Sequence, residues 1–524
     1  MKVNQLKIGS VLSYLQMGFT VIIQLLYTPV MIHFLGKNEY GLYNTIVSTI
    51  SVLSILSLGF NSGYIRYFSI YKKEDNKTAI SKLNGLFLTI FLIIGFVALL
   101  CGLFLSFHLD LVFDQGLTQE EYEIARVLMM LLTFNLSVSF PMSVFQNIIS
   151  AHERFIILKL LGMVKTVGGP LVTLPLLLAG FRSVAMVVVT VAVSLFIDVV
   201  YFVYVIFVMK EKFIFRDFEK RIFVSLFSYT FFIALNTLID QINWNIDKLL
   251  LGRFIGTAEV AVYSVGFTLY HCYMMFSTSV SGVFTPRIHK IVNHTKDNAA
   301  KQKQELTELF IKVGRIQFLI LGLISTGIVF FGRYFIVGLW AGEGYDNAYY
   351  VSLLLILPAS IALIQNLGIE IQRAENKHQF RSIIYTVMAF INLGLSIYLC
   401  QKYGAVGSAV GTALSLVIAN GLIMNVYYNK KCNIDIPLFW KNILRQSVGL
   451  IAPVILGILL LNFVHIDSVM KFAAGVAVYT AVYCASMWIF GMNSYEKDLI
   501  IKPLKKVFHR KKQSDRKEEK VDQY

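Results

Sequence analysis

The sequence predicts an all-α polytopic membrane protein of about fourteen transmembrane helices. Three observations carry that expectation. Of its 524 residues 56% are hydrophobic and 15% charged, far below the roughly 25% charged residues of soluble domains. Apolar windows recur along the chain, among them 83–107, 183–208, 353–372 and 472–490. Each is long enough to cross a hydrocarbon core about 30 Å thick, which takes about 20 helical residues. None alternates polar and apolar residues as a barrel strand would. The third observation is the placing of positive charge, which clusters in alternate loops and tails.

The first span begins behind MKVNQLKIGS (Met1–Ser10). The apolar stretch that follows is long enough to cross and lacks a small-x-small cleavage site, so it reads as a retained helix and not a signal peptide. Hydrophobic length then gives spans at 10–34, 40–68, 82–107, 121–150, 155–178, 183–208, 228–252, 257–284, 307–333, 347–373, 380–401, 405–429, 443–463 and 469–491.

Net charge is +16. Its clusters are Lys72, Lys73 and Lys77; Lys210, Lys212, Arg216, Lys220 and Arg221; Lys290, Lys296, Lys301 and Lys303; Lys430 and Lys431; and the tail KPLKKVFHRKKQSDRK. The intervening loops are poor in Lys and Arg, and His108–Glu123 is acidic. The positive-inside rule then places both termini in the cytoplasm, in keeping with an even number of spans. The basic tail reads as a juxtamembrane segment drawn to anionic membrane lipid, not as a nucleic-acid patch. The five cysteines, Cys101, Cys272, Cys400, Cys432 and Cys484, are scattered without a CxxC or Cys/His cluster, so neither a disulfide framework nor a metal site is expected.

The chain repeats itself. HFLGKNEYGLY (His33–Tyr43) aligns without gaps with RFIGTAEVAVY (Arg253–Tyr263), pairing Phe34 with Phe254, Gly36 with Gly256, Glu39 with Glu259 and Tyr43 with Tyr263. AGFRSVA (Ala179–Ala185) is echoed more weakly by YGAVGSA (Tyr403–Ala409) at the matching place in the second half. The expected organisation is a six-helix lobe at 1–219, a second at 220–432, an extra helix pair at 433–493 and a basic cytoplasmic tail at 494–524. Six is even, so the lobes form a parallel repeat about an axis along the membrane normal, with a substrate site between them.

LLYTPVMIHFLGKNEYGLYN, SFPMSVFQNIISAHERF, DKLLLGRFIGTAEVAVYSVG and LIQNLGIEIQRAENKHQFRS resemble the oligosaccharide flippases of the polysaccharide transporter family. That family belongs to the multidrug/oligosaccharidyl-lipid/polysaccharide (MOP) superfamily, together with lipid II flippases and multidrug-and-toxin extruders. The resemblance runs from the first helix to about Trp440. It implies a MATE-like fold of two lobes that alternate between inward- and outward-facing states in a bacterial cytoplasmic membrane. It implies a polyprenyl-pyrophosphate-linked oligosaccharide as cargo, moved to the outer leaflet for capsule, exopolysaccharide or another surface glycan. It also implies a cationic cavity lined by the first, second, seventh and eighth helices, and pathway partners such as a glycan polymerase and glycosyltransferases.

Charges at bilayer depth cost about 2.5–3.5 kcal/mol or more each, so they face a cavity or a partner. Asn236, Asp240, Asn243 and Asp247 follow at i, i+4, i+7 and i+11, one helical face. They read as a cavity-lining stripe or a polar helix seam, with Asp240 a candidate for ion coupling. Asp247 and Lys248 sit near the outer interface, where snorkelling also explains them. Lys165 and Asp198 fall at matching depths on consecutive antiparallel helices and are expected to form a buried ion pair, with a structural role and a substrate or coupling role both open. Arg66, Arg287 and Arg373 close spans on the cytoplasmic side, where the guanidinium fork suits phosphate oxygens and the ordinary positive-inside bias suffices too. Lys312 and Arg315 share that ambiguity. Glu370 lies with Asn366 and Arg373 on one face, as a coupling candidate or that arginine's counter-charge.

Two rivals remain within the superfamily, a multidrug extruder and a lipid II-type precursor flippase. Cationic drugs call for an acidic cavity, which the intramembrane Lys and Arg do not make. A membrane glycan polymerase would need a sizeable catalytic external loop, and the external loops here are short. No P-loop occurs and no enzyme activity or cofactor is expected, so drive would come from an ion gradient, membrane potential or consumption of the cargo outside.

Overall fold

The computed structural model describes residues 5–57, 59–114, 117–216, 220–375, 377, 379–464, 466–499 and 501–502, with the side chains of 6–7, 220–229, 231–233 and 235–236 excepted. The described chain is helical throughout: α1 (Gln5–Leu53), α2 (Phe60–Lys73), α3 (Lys77–Phe107), α4 (Gln119–Ala151), α5 (Phe155–Leu178), α6 (Ser183–Val203), α7 (Lys220–Phe254), α8 (Thr257–His294), α9 (Ala299–Arg333), α10 (Asp346–Leu363), α11 (Leu367–Ala374), α12 (Gln379–Leu416), α13 (Met424–Lys431), α14 (Ile436–Ser447), α15 (Ile451–Phe463) and α16 (Val469–Ser486). Among the described residues, ten helical segments are long and apolar enough to cross a membrane. Two of them, of 66 and 53 residues, greatly exceed the roughly 30 Å core at 1.5 Å per residue. They contain breaks at Gly36 and Gly404. Helix is what hydrocarbon demands, because every backbone N–H and C=O must find a partner within the chain. Outward faces such as Leu92, Ile93, Phe96 and Leu100 on α3 are accordingly apolar and exposed.

Several helices outrun the expected spans, α7 starting at Lys220, α8 ending at His294 and α9 starting at Ala299 where 228, 284 and 307 were expected, and three further boundaries differ. The second expected span, 40–68, is interrupted by a 3₁₀ turn at Ser54–Ser57 and resumes only at Phe60, behind Gly59 at φ 68°. The tenth, 347–373, stops at Leu363 and restarts at Leu367. The thirteenth begins at Ile436 and not at 443, because the Asp435 carboxylate accepts from Leu438 N and Pro437 occupies the first turn, a strong start signal. The tail expected from 494 starts as a docked helix over 494–499. Asn493 and Glu496 cap each other reciprocally, Glu496 N to Asn493 Oδ1 and Asn493 N to Glu496 Oε2, both at 2.9 Å.

The chain packs as two compact units. The first comprises Met1–Met275, Ile336–Pro358 and Gln379–Ala419, and the second Phe276–Phe335, Ala359–His378 and Asn420–Tyr524. These packing units are a different division from the 1–219 and 220–432 halves of the sequence repeat. One core of the first unit gathers Phe60, Tyr64, Phe68, Phe87, Phe91 and Phe140, and another Leu42, Ile46, Leu128, Met129 and Val187. In the second unit Phe330, Phe331 and Tyr479 form an aromatic centre.

The duplicated sequence has a duplicated geometry, all of it inside the first unit. The paired glycines Gly36 and Gly256 have φ of 75° and 126°, and their counterparts in the weaker echo, Gly180 and Gly404, have 89° and 58°. An L side chain is strained at each of these turns. The paired glutamates do matching work. Glu39 Oε1 accepts from Ser183 N at 2.9 Å and from Ser183 Oγ, where α6 starts. Glu259 Oε2 accepts from Ala405 N at 2.8 Å, just after the break in α12. A carboxylate at a helix N-terminus satisfies an orphan N–H and complements the dipole. Glu39→Ala is therefore expected to cost about 1–3 kcal/mol of stability. Glu259→Ala should cost less, since it loses one bond and not two; thermal unfolding in detergent checks the order.

Candidate functional site

In the first unit, α1, α7 and the part of α8 up to Met275 bring polar and aromatic groups together within the spans. Trp244 lies ten residues before the end of α7 at Phe254 and His271 fourteen residues after the start of α8 at Thr257, about 15 and 21 Å along the helices at 1.5 Å per residue. His271 Nδ1 and Cys272 Sγ both meet Gln24 Oε1 at 3.3 Å. Trp244 presents its ring edge-on to His271 and Phe267, at centroid distances of 5.8 and 5.7 Å, and stacks on Tyr270 at 6.3 Å. Lys248 Nζ sits 4.5 Å from the centroid of Phe267, a cation–π contact. Among the described residues no carboxylate is within ion-pair distance of Lys248. The cluster therefore offers a cation, an amide, an imidazole and aromatic faces.

The polar stripe of α7 does not face one way. Asp240 is exposed and Asn243 half-buried, while Asp247 is 2% exposed. Asp247 accepts from Tyr263 at 2.7 Å, Ser408 at 2.6 Å and Thr412 at 2.8 Å, which ties α7 to α8 and α12. Buried polar groups are nearly always satisfied, and here three hydroxyls do it. Asn236 falls outside the described side chains.

A cavity of about 680 Å³ opens among α1, α4, α5 and α6 and is lined by Lys159 and Lys165 together with Gln16, Gln146 and Asn147. The expected Lys165–Asp198 ion pair is not made. Lys165 Nζ donates to Ser194 Oγ at 2.8 Å, one turn before Asp198 on α6, and Asp198 Oδ1 accepts from Gln146 Nε2 at 3.3 Å. Serine's short hydroxyl intercepts the lysine before it reaches the carboxylate.

The remaining candidates lie elsewhere. Arg66 is exposed on α2, in the first unit. The others belong to the second unit, where Arg287 is exposed on α8. Arg373 is exposed and pairs with Glu370 at 2.7 Å, and Thr285 donates to the other Glu370 oxygen at 3.5 Å. Arg315 is buried and bidentate to Glu496, at 2.5 and 2.9 Å, with further bonds to the carbonyls of Asn442 and Gly491. Lys312 lies 5.6 Å from the Tyr495 ring centroid. Both α9 candidates, Lys312 and Arg315, thus meet the docked 494–499 segment. Outside the spans, burial first and then the charge of Glu375 push the Cys432 thiol up to about 12. No group of three metal-ligating side chains occurs among the described residues.

Sequence reading alone did not single out Gln24, Trp244, Phe267, Gln16 or Lys159. A signal was present on α1, where Gln16, Thr20 and Gln24 recur every fourth residue in the otherwise apolar stretch 15–27.

The fold is that of the MurJ and MATE transporters. The lipid II flippase MurJ in an inward closed conformation matches with a TM-score of 0.70 at 15% identity, over 94% of this chain and 99% of that one. An inward-facing MATE multidrug resistance transporter of the MOP superfamily matches with a TM-score of 0.61 at 13% identity, over 82% and 99%. At such identities the likeness is one of fold. The chain belongs to the polysaccharide biosynthesis protein family, whose model matches residues 8–292, more than half of its length. A putative O-antigen transporter of Shigella flexneri is 19% identical over 76% of this chain and 92% of its own. A probable low-salt glycan biosynthesis flippase of Haloferax volcanii is 24% identical over 39% and 41%.

Proposed function

We propose that this protein flips a polyprenyl-pyrophosphate-linked oligosaccharide from the cytoplasmic to the outer leaflet by alternating access. The carrying observation is the cluster of Lys248, Gln24, His271, Trp244 and Phe267 within the spans. A lysine inside a span is costly unless it meets an anion, and the nearby Asp247 carboxylate is already held by three hydroxyls; aromatic faces with amides are what sugar rings require. The family membership and the transporter and flippase names of the relatives support the same reading. The sequence halves 1–219 and 220–432 act as the two lobes, with 433–493 as an added helix pair, both termini in the cytoplasm of a bacterial cell and drive from an ion gradient or membrane potential.

A multidrug extruder would be expected to present acid to its cationic cargo, whereas this cluster and the α5 cavity present Lys248, Lys159 and Lys165. The test is a deletion strain. Lipid-linked oligosaccharide is expected to accumulate on the cytoplasmic side, with loss of the surface glycan. Normal glycan together with increased retention of a cationic dye would replace this reading by the extruder.

A further inference from the structure

The cavity among α1, α4, α5 and α6 shares α1 with the Lys248–His271 cluster but none of its residues. Its wall is strongly biased in charge. Lys159 and Lys165 line it, no carboxylate does among the described residues, and the other polar groups are the amides of Gln16, Gln146 and Asn147 and nearby serine hydroxyls. Lys165 spends one donor on Ser194, a neutral acceptor, so its ammonium has donors left over. Asp198 stands behind this wall within Coulombic reach of Lys165. It is 3% exposed, and its Oδ1 accepts from Gln146 Nε2 at 3.3 Å.

The two lysines are four and ten residues beyond the start of α5 at Phe155, so about 9 Å separates them along the axis at 1.5 Å per residue. Two cations spaced in that way suit an anion extended along the helix better than a compact monovalent one. The volume of about 680 Å³ lies within the roughly 300–1,000 Å³ of small-molecule sites. From these features we infer that this cavity is a diphosphate-binding site. Lys159 and Lys165 hold the phosphate oxygens, the amides donate to them, and Asp198 is the repelling charge that keeps the grip releasable. Asp198 also supplies the long-range counter-charge that makes Lys165 tolerable when no anion is present. The anionic character of the site stands on its own geometry; identifying its ligand as a lipid headgroup rests on the flippase reading.

The test uses the full chain in nanodiscs of zwitterionic lipid. Inorganic pyrophosphate is titrated in one arm and a polyprenyl diphosphate in the other, with the uncharged polyprenol as control. Lys159→Gln and Lys165→Gln are each expected to weaken binding about tenfold or more, the loss of one charge-assisted contact. Lys165→Arg should largely restore it, and Asp198→Asn should tighten it. The opposed signs at positions 165 and 198 separate charge recognition from general damage, which melting temperature monitors. Equal binding by wild type and both lysine-to-glutamine variants, or weaker binding by Asp198→Asn with unchanged melting, overturns the site and leaves the flippase reading standing. Lysine-dependent binding of pyrophosphate without binding of the lipid supports the anion site and overturns its lipid source. Lysine-dependent lipid binding in a protein that translocates no lipid-linked oligosaccharide supports the site and sinks the flippase reading.

Discussion

Arg315→Ala will destabilise the second unit by about 3–5 kcal/mol, the cost of leaving one member of a buried ion pair without its partner. Glu496 is 2% exposed and Arg315 4%, so neither charge can turn to water. The arginine also satisfies the carbonyls of Asn442 and Gly491, and its own carbonyl accepts from Gln446 Nε2 at 3.1 Å. One side chain on α9 thereby fixes α14 and the segment after α16. Glu496→Gln keeps the shape and should cost less than Arg315→Ala. Arg315→Met combined with Glu496→Leu should recover part of the loss, because an apolar pair can replace a buried ion pair at little cost. Thermal unfolding of the four proteins in one detergent checks the order. A double variant less stable than Arg315→Ala would contradict it.

Lys248→Met will lower translocation about tenfold or more while leaving stability unchanged or raised. The sign of the stability effect separates function from scaffolding. A lysine kept for packing would take stability with it when removed. A lysine kept for cargo imposes a desolvation cost of about 2.5–3.5 kcal/mol that methionine relieves. Methionine retains the length and the contact with Phe267, so lost transport would report the missing charge. Trp244→Ala removes the ring between Phe267, Tyr270 and His271 and should lower both transport and stability.

Much of this architecture could be read from residue order because membrane and backbone impose local rules. Hydrocarbon forces long apolar helices, so the spans stand out. A turn at positive φ needs glycine, and a helix start welcomes a carboxylate, so Gly36, Gly256, Glu39 and Glu259 mark the repeat in sequence and in space alike. Interruptions were harder. Gly59 sits in an apolar stretch where glycine is common, and nothing near it distinguishes a break from ordinary packing. The stop after Leu363 is similarly concealed among residues that read as continuous helix.

The candidate charges divide along the same line. Depth follows from helix rise, which sets Lys165 and Asp198 at similar heights. Which group a side chain meets depends on neighbours distant in sequence. Ser194 takes the lysine, three hydroxyls take Asp247, and Glu496, 181 residues along, takes Arg315. No local pattern announces such partners, least of all an acid beside a basic tail. Trp244 escaped notice for the opposite reason: in an apolar chain a tryptophan looks like core until the rings around it are seen.

Reconstitution tests the central claim most directly. Proteoliposomes containing the purified chain receive a polyprenyl-diphosphate oligosaccharide in both leaflets, and an impermeant glycan-cleaving enzyme outside reports how much of the lipid becomes accessible. Wild type is expected to render nearly all of it cleavable, Lys248→Met to slow the approach about tenfold, and protein-free vesicles to stop at the outer half. Accessibility that stays at half with correctly folded wild type, under imposed ion gradients and membrane potentials of either sign, would contradict the account.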